Sequence, residues 1–171
     1  MLRSILIVAF LLFAFGSCRK TDEFLFGGNF ETRFLIPSGL NTVLTHYITI
    51  PNVYTDFKRL AKNAGYDEQG IKSIQASFGK MRTVFTSDDL DFLQDISVVI
   101  FSRKNPALKK EMYYSEFVPF NVDNEIKLQS GSAELAEILK EDYIDIEIRI
   151  NIRGFVPNAV EVILDMSFIA L

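Results

Sequence analysis

The clearest alternation of apolar and polar residues lies near the end of the chain. Between positions 144 and 153, five isoleucines alternate with polar or charged residues. A period of two places all five isoleucines on one face of a β-strand, whereas a helix would scatter them. A second alternating segment covers 160–168, and the Gly- and Pro-containing stretch 154–158 is typical of a connection. The pattern predicts a long antiparallel hairpin made of these two strands.

Shorter alternating or apolar segments predict five more strands. They cover 30–36, 44–50, 74–78, 96–101 and 112–120. Pro51 is expected to end the second of them, because proline cannot donate a hydrogen bond to a neighbouring strand. Gly79 is expected to mark a bulge or a bend. This makes about seven strands, joined mostly by short loops.

Two segments have helical spacing instead. In the first, Asn52 is the expected cap of a helix that ends at Gly65, with apolar residues at 53, 57, 60, 61 and 64. In the second, Ser132 is the expected cap of a shorter helix that buries positions 135, 138 and 139. The chain lacks βαβ alternation, which argues against a parallel sheet. The fold predicted is mostly β: an antiparallel β-sandwich of about seven strands with two short helical insertions.

The first eighteen residues have a different pattern. Arg3 precedes an unbroken apolar run at 5–15, which would cover only about 16 Å as a helix, roughly half of a bilayer core of about 30 Å. A run of this length is typical of a secretory signal peptide. The small residues Gly16 and Ser17 stand directly before Cys18, the single cysteine of the chain. An ordinary signal peptide followed by an incidental cysteine is the alternative.

The segment Phe15-Gly16-Ser17-Cys18 resembles the lipobox of bacterial lipoproteins. The resemblance implies that Cys18 carries lipid (palmitate among the acyl chains) and becomes the mature N-terminus. It divides the chain into a signal peptide at 1–17, a lipidated cysteine and tether at 18–29, and a single β-sandwich domain at 30–171. Arg19, rather than an aspartate, follows the cysteine, so the resemblance implies the outer membrane, facing either the periplasm or the cell surface.

Composition excludes several classes of function. The 171 residues include 18 basic and 22 acidic side chains. Without residues 1–17 the chain loses Arg3 and no acid, which leaves a net charge of −5. An acidic chain is a poor binder of nucleic acid, which needs a basic surface. One cysteine excludes an internal disulfide, and one histidine excludes a multi-histidine metal site. Nucleotide-binding and hydrolase motifs are also missing, so no cofactor is predicted.

Three residues of the predicted domain are candidates for ligand contact: His46, Tyr113 and Tyr114. His46 lies on the apolar face of its predicted strand, where it is a core residue, a ligand contact or a catalytic base. The two tyrosines belong to an aromatic group with Phe117 and Phe120 that would serve either as a sugar- or peptide-stacking surface or as core. Adjacent residues of a strand point to opposite faces, so at most one of the two tyrosines can be buried on a given face.

The acidic residues suggest two further kinds of site. Asp88, Asp89, Asp91 and Asp95 fail the ligand spacing of an EF-hand loop. A turn capped by Thr86 or Ser87 fits that segment better, with an irregular calcium site as the alternative. The acids of 137–147 could supply the paired carboxyls of a glycosidase, which stand about 5–10 Å apart. They could equally form a solvated face.

The sequence therefore predicts a lipid-anchored lipoprotein of the cell envelope with a non-catalytic binding or structural β domain. Its partners would be the membrane, through Cys18, and an envelope protein or a glycan. One alternative is a subunit of an envelope assembly that acts through a strand edge or through an apolar patch containing Ile163 and Ile169. The other is a carboxylate-dependent glycan hydrolase.

Overall fold

Eight antiparallel strands form almost the whole structure. A computed structural model describes residues 23–171; the predicted signal peptide and Cys18 lie outside the described residues. The strands are β1 (Phe26–Ile36), β2 (His46–Tyr54), β3 (Ile74–Thr83), β4 (Leu93–Ser102), β5 (Lys109–Ser115), β6 (Glu125–Ser130), β7 (Tyr143–Ile152) and β8 (Val160–Ala170). Two short helices, α1 (Phe57–Asn63) and α2 (Ala136–Leu139), interrupt them. The predicted mostly-β fold with two helical insertions is confirmed.

The strands form one sheet that curls nearly into a barrel, in the order β1-β8-β3-β6-β5-β4-β7-β2. It has two four-stranded halves, and they join where Tyr113 and Tyr114 of β5 pair with Ser130 and Gln129 of β6. Within residues 23–171 the outer edges, β1 and β2, approach each other without a hydrogen-bonded ladder. The inward-facing side chains of both halves form one continuous core.

The predicted hairpin of the last two strands is wrong. The strand β7 lies between β2 and β4, while β8 lies between β1 and β3 in the opposite half. The segment 153–159 therefore crosses from one half of the sheet to the other. Alternation identifies the buried face of a strand but carries no information about its partner. Both strands are long and strongly apolar, and the fold places each of them with a neighbour on both sides.

Several strand boundaries differ from the predicted ones. The strand β1 begins at Phe26, where the aromatic side chain is already buried. The strand β2 continues past Pro51 through a bulge, in which Asn52 adopts a positive φ of 60° and donates its backbone N–H to Asp145. A bulge also shifts the register of β3 next to Gly79, as predicted. The strand β6 was missed, because its two buried residues are a short signal among polar neighbours.

The helix α1 is shorter than the sequence pattern predicts. Its inward face buries Phe57 and Ala61, and Gly65 follows its end with a φ of 83°, in agreement with the prediction. The expected cap, Asn52, lies instead in the bulge of β2, and the position before the helix is Asp56, also at positive φ. A proline and a bulge thus delay the helix by one turn.

The helix α2 is held by a glutamate rather than by the expected cap Ser132. The carboxylate of Glu134 accepts hydrogen bonds from the backbone N–H groups of Ala136 (2.9 Å) and Ile74 (2.8 Å) and from the hydroxyl of Ser73. Burial alone would raise the pKa of Glu134, but these donors, together with the backbone N–H of Leu135, outweigh it and lower the pKa. One side chain therefore joins the start of α2 to the start of β3.

We expect Glu134→Gln to lower the free energy of unfolding by about 1 kcal/mol at pH 7, because the donors lose a charged acceptor whose effect solvent partly screens at this exposed position. A lowered folded-state pKa means that the carboxylate stabilises the fold above the ordinary glutamate pKa of about 4.3 and loses this effect as the pH falls through the folded value. Urea unfolding of both proteins between pH 7 and pH 3 should show the difference shrinking below about pH 4. The control Glu137→Gln, in the first turn of α2, should change stability by less than about 0.5 kcal/mol. A pH-independent difference would contradict this role.

Candidate binding surface at one end of the barrel

The antiparallel order brings four connections to the same end of the barrel. They are the segments 37–45, 84–92, 116–124 and 153–159, which we call the loop end. Each follows an odd-numbered strand, and all odd-numbered strands run in the same direction. The helices α1 and α2 and the start of β1 lie at the opposite end.

The four segments are tied to one another and to the strand ends by backbone hydrogen bonds. Gly39 donates to Val156 (2.9 Å), which joins the first and fourth segments, and Leu90 donates to Asp123 (2.8 Å), which joins the second and third. Arg153 donates its backbone N–H to Phe92 (2.8 Å). The loop end is therefore a connected surface rather than four independent loops.

The loop end exposes large apolar side chains. Six side chains there are between 59% and 87% exposed: Val43, Leu44, Phe85, Phe117, Phe120 and Phe155. Elsewhere in residues 23–171, seven large hydrophobic side chains are exposed, and four of them are tyrosines, whose hydroxyl groups favour contact with water. The other three are Phe24, Leu35 and Phe78. Single exposed apolar residues are common, but such a group at one end of a domain is typical of an interaction site.

Two of the phenylalanines are held in place by an arginine. The rings of Phe117 and Phe120 meet edge to face, with centroids 5.7 Å apart. The guanidinium carbon of Arg153 lies 4.3 Å from the centroid of Phe120 and 5.3 Å from that of Phe117. The same guanidinium donates to the backbone carbonyls of Leu93 and Val118. The hydrogen bonds to these two carbonyls hold the guanidinium in place, and the two exposed rings pack against it.

His46 and Asn41 shape the first of the four segments. The side-chain oxygen of Asn41 accepts hydrogen bonds from the backbone N–H groups of Val43 (3.0 Å) and Leu44 (2.8 Å). Nε2 of His46, at the start of β2, lies 2.7 Å from the carbonyl oxygen of Asn41. The half-buried histidine thus supports the turn that presents the two aliphatic side chains. Sequence reasoning singled out His46 but gave no signal for this structural role.

A hollow of about 240 Å³ lies between the second and fourth segments. Its apolar lining comes from five residues: Phe92, Phe155, Val156, Pro157 and Val160. Its acidic lining comes from Asp88, Asp89 and Asp91. The turn that carries these aspartates is held by the hydroxyl of Thr83, which donates to the carbonyls of Phe85 (2.8 Å) and Asp88 (3.2 Å), rather than by the expected Thr86 or Ser87. Asp95 lies apart on β4, where it accepts a hydrogen bond from Asn151 (2.9 Å).

The loop end is also strongly acidic. Its four segments contain five carboxylates, at positions 88, 89, 91, 116 and 123, against the single guanidinium of Arg153. The net charge of this surface is therefore −4. In residues 23–171, no three histidine, cysteine, aspartate or glutamate side chains are grouped closely enough to hold a metal ion.

The structure separates the four aromatic residues predicted to form one group. Tyr113 is fully buried, its hydroxyl donates to the carbonyl of Ser167, and burial raises its pKa well above the ordinary value, so it is not available to a ligand. Tyr114 is half-buried and lines an open depression of about 610 Å³ on the outer face of β4 and β5, beside Asp95, Glu111 and Glu116. Phe117 and Phe120 belong to the loop end.

The acids of 137–147 are engaged mostly in structural contacts. The buried carboxylate of Glu141 accepts hydrogen bonds from the hydroxyl of Ser102 and the backbone N–H of Arg103 (3.0 Å). Asp142 pairs with Lys58 (3.1 Å), and Glu147 pairs with Arg149 (2.7 Å). Glu141, Asp142 and Glu147 therefore each have a partner within the protein.

The predicted apolar patch on β8 is not formed. Ile163 is only 4% exposed, and Ile169 is half-buried. Both lie on the outer side of β8, which runs between β1 and β3; Ile163 stands in register between Arg33 and Arg82. Of the nine exposed large hydrophobic side chains other than tyrosine in residues 23–171, six lie at the loop end.

The fold and this surface define a class: an antiparallel, barrel-like β domain with a preformed apolar and acidic end. No protein-family model matches the chain, and a comparison with curated proteins finds no significant match. In residues 23–171, no helix is both long enough and apolar enough to cross a membrane.

Proposed function

We propose that this chain is a lipid-anchored binding protein of the bacterial cell envelope, attached to the outer membrane through Cys18, and that its β domain binds a partner without catalysing a reaction. The observation that carries the binding role is the loop end, where rigidly held apolar side chains face solvent. The lipobox-like segment ending at Cys18 carries the anchor. The partner is an envelope protein, in agreement with the apolar character of the surface.

The position of β1 is compatible with an anchor at Cys18 that leaves the loop end accessible. The strand begins at Phe26, at the end of the barrel opposite the loop end. Seven residues separate Cys18 from Phe26, and a chain of that length spans at most about 25 Å. An anchor at Cys18 would therefore hold the domain close to the bilayer with the loop end directed away from it.

The lipid would make this attachment stable. One acyl chain alone binds a bilayer only marginally, whereas two or more anchor a protein firmly. Arg19 and Lys20 directly follow the cysteine and would add about 1 kcal/mol each by contact with anionic headgroups. The absence of an aspartate at position 19 supports the outer membrane as the destination.

The anchor is tested with Cys18→Ala, produced in a Gram-negative bacterium that is fed radiolabelled palmitate. We expect the wild-type chain to carry label and to sediment with outer membranes, and the variant to lose both properties. Ser17→Ala is the matched control, because it keeps a small residue beside the cysteine and should leave labelling unchanged. Sedimentation of the unlabelled Cys18→Ala variant with outer membranes would refute the lipid anchor.

A further inference from the structure

We propose that the loop end binds a protein segment in which apolar side chains alternate with or flank lysine or arginine side chains. This inference rests on the binding role proposed above but not on the lipid anchor. The six exposed apolar side chains indicate that a partner binds here, and the negative charge of the surface indicates that the partner is basic.

The apolar side chains are available to a partner and cannot easily turn inward. Burying a phenylalanine side chain is favourable because it removes apolar surface from water, so a partner that covers the four exposed phenylalanines of this surface gains stabilisation from each of them. The stack on Arg153 and the hydrogen bonds between the four segments hold this surface in place. A partner therefore pays little conformational entropy for ordering it.

The net charge of −4 discriminates between the possible occupants. A bilayer containing anionic lipid would be repelled by the five carboxylates of the loop end. A second copy of the same surface would bring −4 against −4, which disfavours a symmetric dimer through this end. A basic partner is instead attracted, and its positive charges would meet the carboxylates at the rim while its apolar side chains cover the phenylalanines.

The hollow between the second and fourth segments fits the same chemistry. Its apolar walls, among them Phe155 and Val156, match the aliphatic stem of lysine or arginine. Its three aspartates match the cationic head of such a side chain. We therefore expect one lysine or arginine side chain of the partner to bind in this hollow of about 240 Å³.

The test uses a random twelve-residue peptide library, selected on the immobilised mature chain, residues 18–171, carrying Cys18→Ala, so that neither the apolar signal segment nor a lipid requires detergent. We expect the selected peptides to be enriched in lysine or arginine together with leucine, isoleucine or aromatic residues. Selected peptides should bind at least tenfold more weakly to Phe120→Ser/Phe155→Ser, and at least fivefold more weakly at 500 mM than at 50 mM salt. The control is Phe24→Ser/Phe78→Ser, which changes two exposed phenylalanines outside the loop end. It should bind the selected peptides with the same affinity as the chain without these substitutions.

A second arm uses vesicles of phosphatidylethanolamine with and without phosphatidylglycerol. Vesicle binding that depends on Phe120 and Phe155 would overturn the proposal in favour of a lipid surface. Selection of no peptides, selection without basic enrichment, or binding that is unchanged in Phe120→Ser/Phe155→Ser would also overturn it.

Circular dichroism of each variant checks that the fold is kept. If Phe120→Ser/Phe155→Ser unfolds, the triple variant Asp88→Asn/Asp89→Asn/Asp91→Asn replaces it, with the same expected loss of peptide binding. Because lipid plays no part in the peptide arm, its outcome is independent of the Cys18→Ala fractionation.

Discussion

Replacing Phe168 by alanine is expected to lower the free energy of unfolding by about 3–5 kcal/mol, the range typical of a buried phenylalanine. Phe168 lies on β8 and is 1% exposed. Its ring contacts three other rings, with centroid distances of 5.6 Å to Phe57, 6.3 Å to Phe26 and 6.4 Å to Phe30. The alanine variant would leave a cavity that these rings cannot fill without leaving their own strands and helix.

The loss is measured by urea unfolding at pH 7. A change of this size is a large part of the 5–15 kcal/mol that stabilises an ordinary domain. Phe24→Ala is the matched control, because that phenylalanine is 62% exposed and its truncation should cost less than about 0.5 kcal/mol. Equal effects of the two substitutions would show that the aromatic cluster does not form as described.

Gly79→Ala is expected to lower the free energy of unfolding by about 1–3 kcal/mol through overpacking. Gly79 is a buried position on β3, and a Cβ atom there would lie 2.5 Å from Cδ1 of Tyr113. The ring of Tyr113 cannot shift freely, because its hydroxyl donates to the carbonyl of Ser167 and accepts from the backbone N–H of the same residue (2.9 Å). The missing side chain of Gly79 is therefore what allows the tyrosine to cross the core.

A double-mutant cycle tests this coupling. In a Tyr113→Ala background, the extra methyl group of Gly79→Ala meets no ring, so we expect it to cost less than about 0.5 kcal/mol. Gly154→Ala is the control in the wild-type background: its nearest neighbours would be ordinary contacts at 3.6 Å, and its effect should be close to zero. Additive effects of Gly79→Ala and Tyr113→Ala would contradict the steric explanation.

The candidate surface was only partly foreseeable. The aromatic run containing Phe117 and Phe120 is visible in the sequence, and a stacking surface was one interpretation of it. The other members of the loop end lie far away along the chain, at 43, 44, 85 and 155, and nothing local connects them. The alternation at 144–153 predicts only that Arg153, which supports the two rings, lies on the polar face of a strand. The strand order alone brings these four segments of sequence together.

The sequence by itself determined which residues face the core, because alternation with a period of two is a local property of each strand. The five isoleucines of β7 are all buried, and the mostly-β class follows from such segments. Only the tertiary structure decided which strands are neighbours, since hydrogen-bonded pairing is set by packing between distant segments rather than by local pattern. The tertiary structure places β7 and β8 in opposite halves of the sheet and packs the ring of Tyr113 against Gly79. It also brings four loops together into one apolar, acidic end of the barrel.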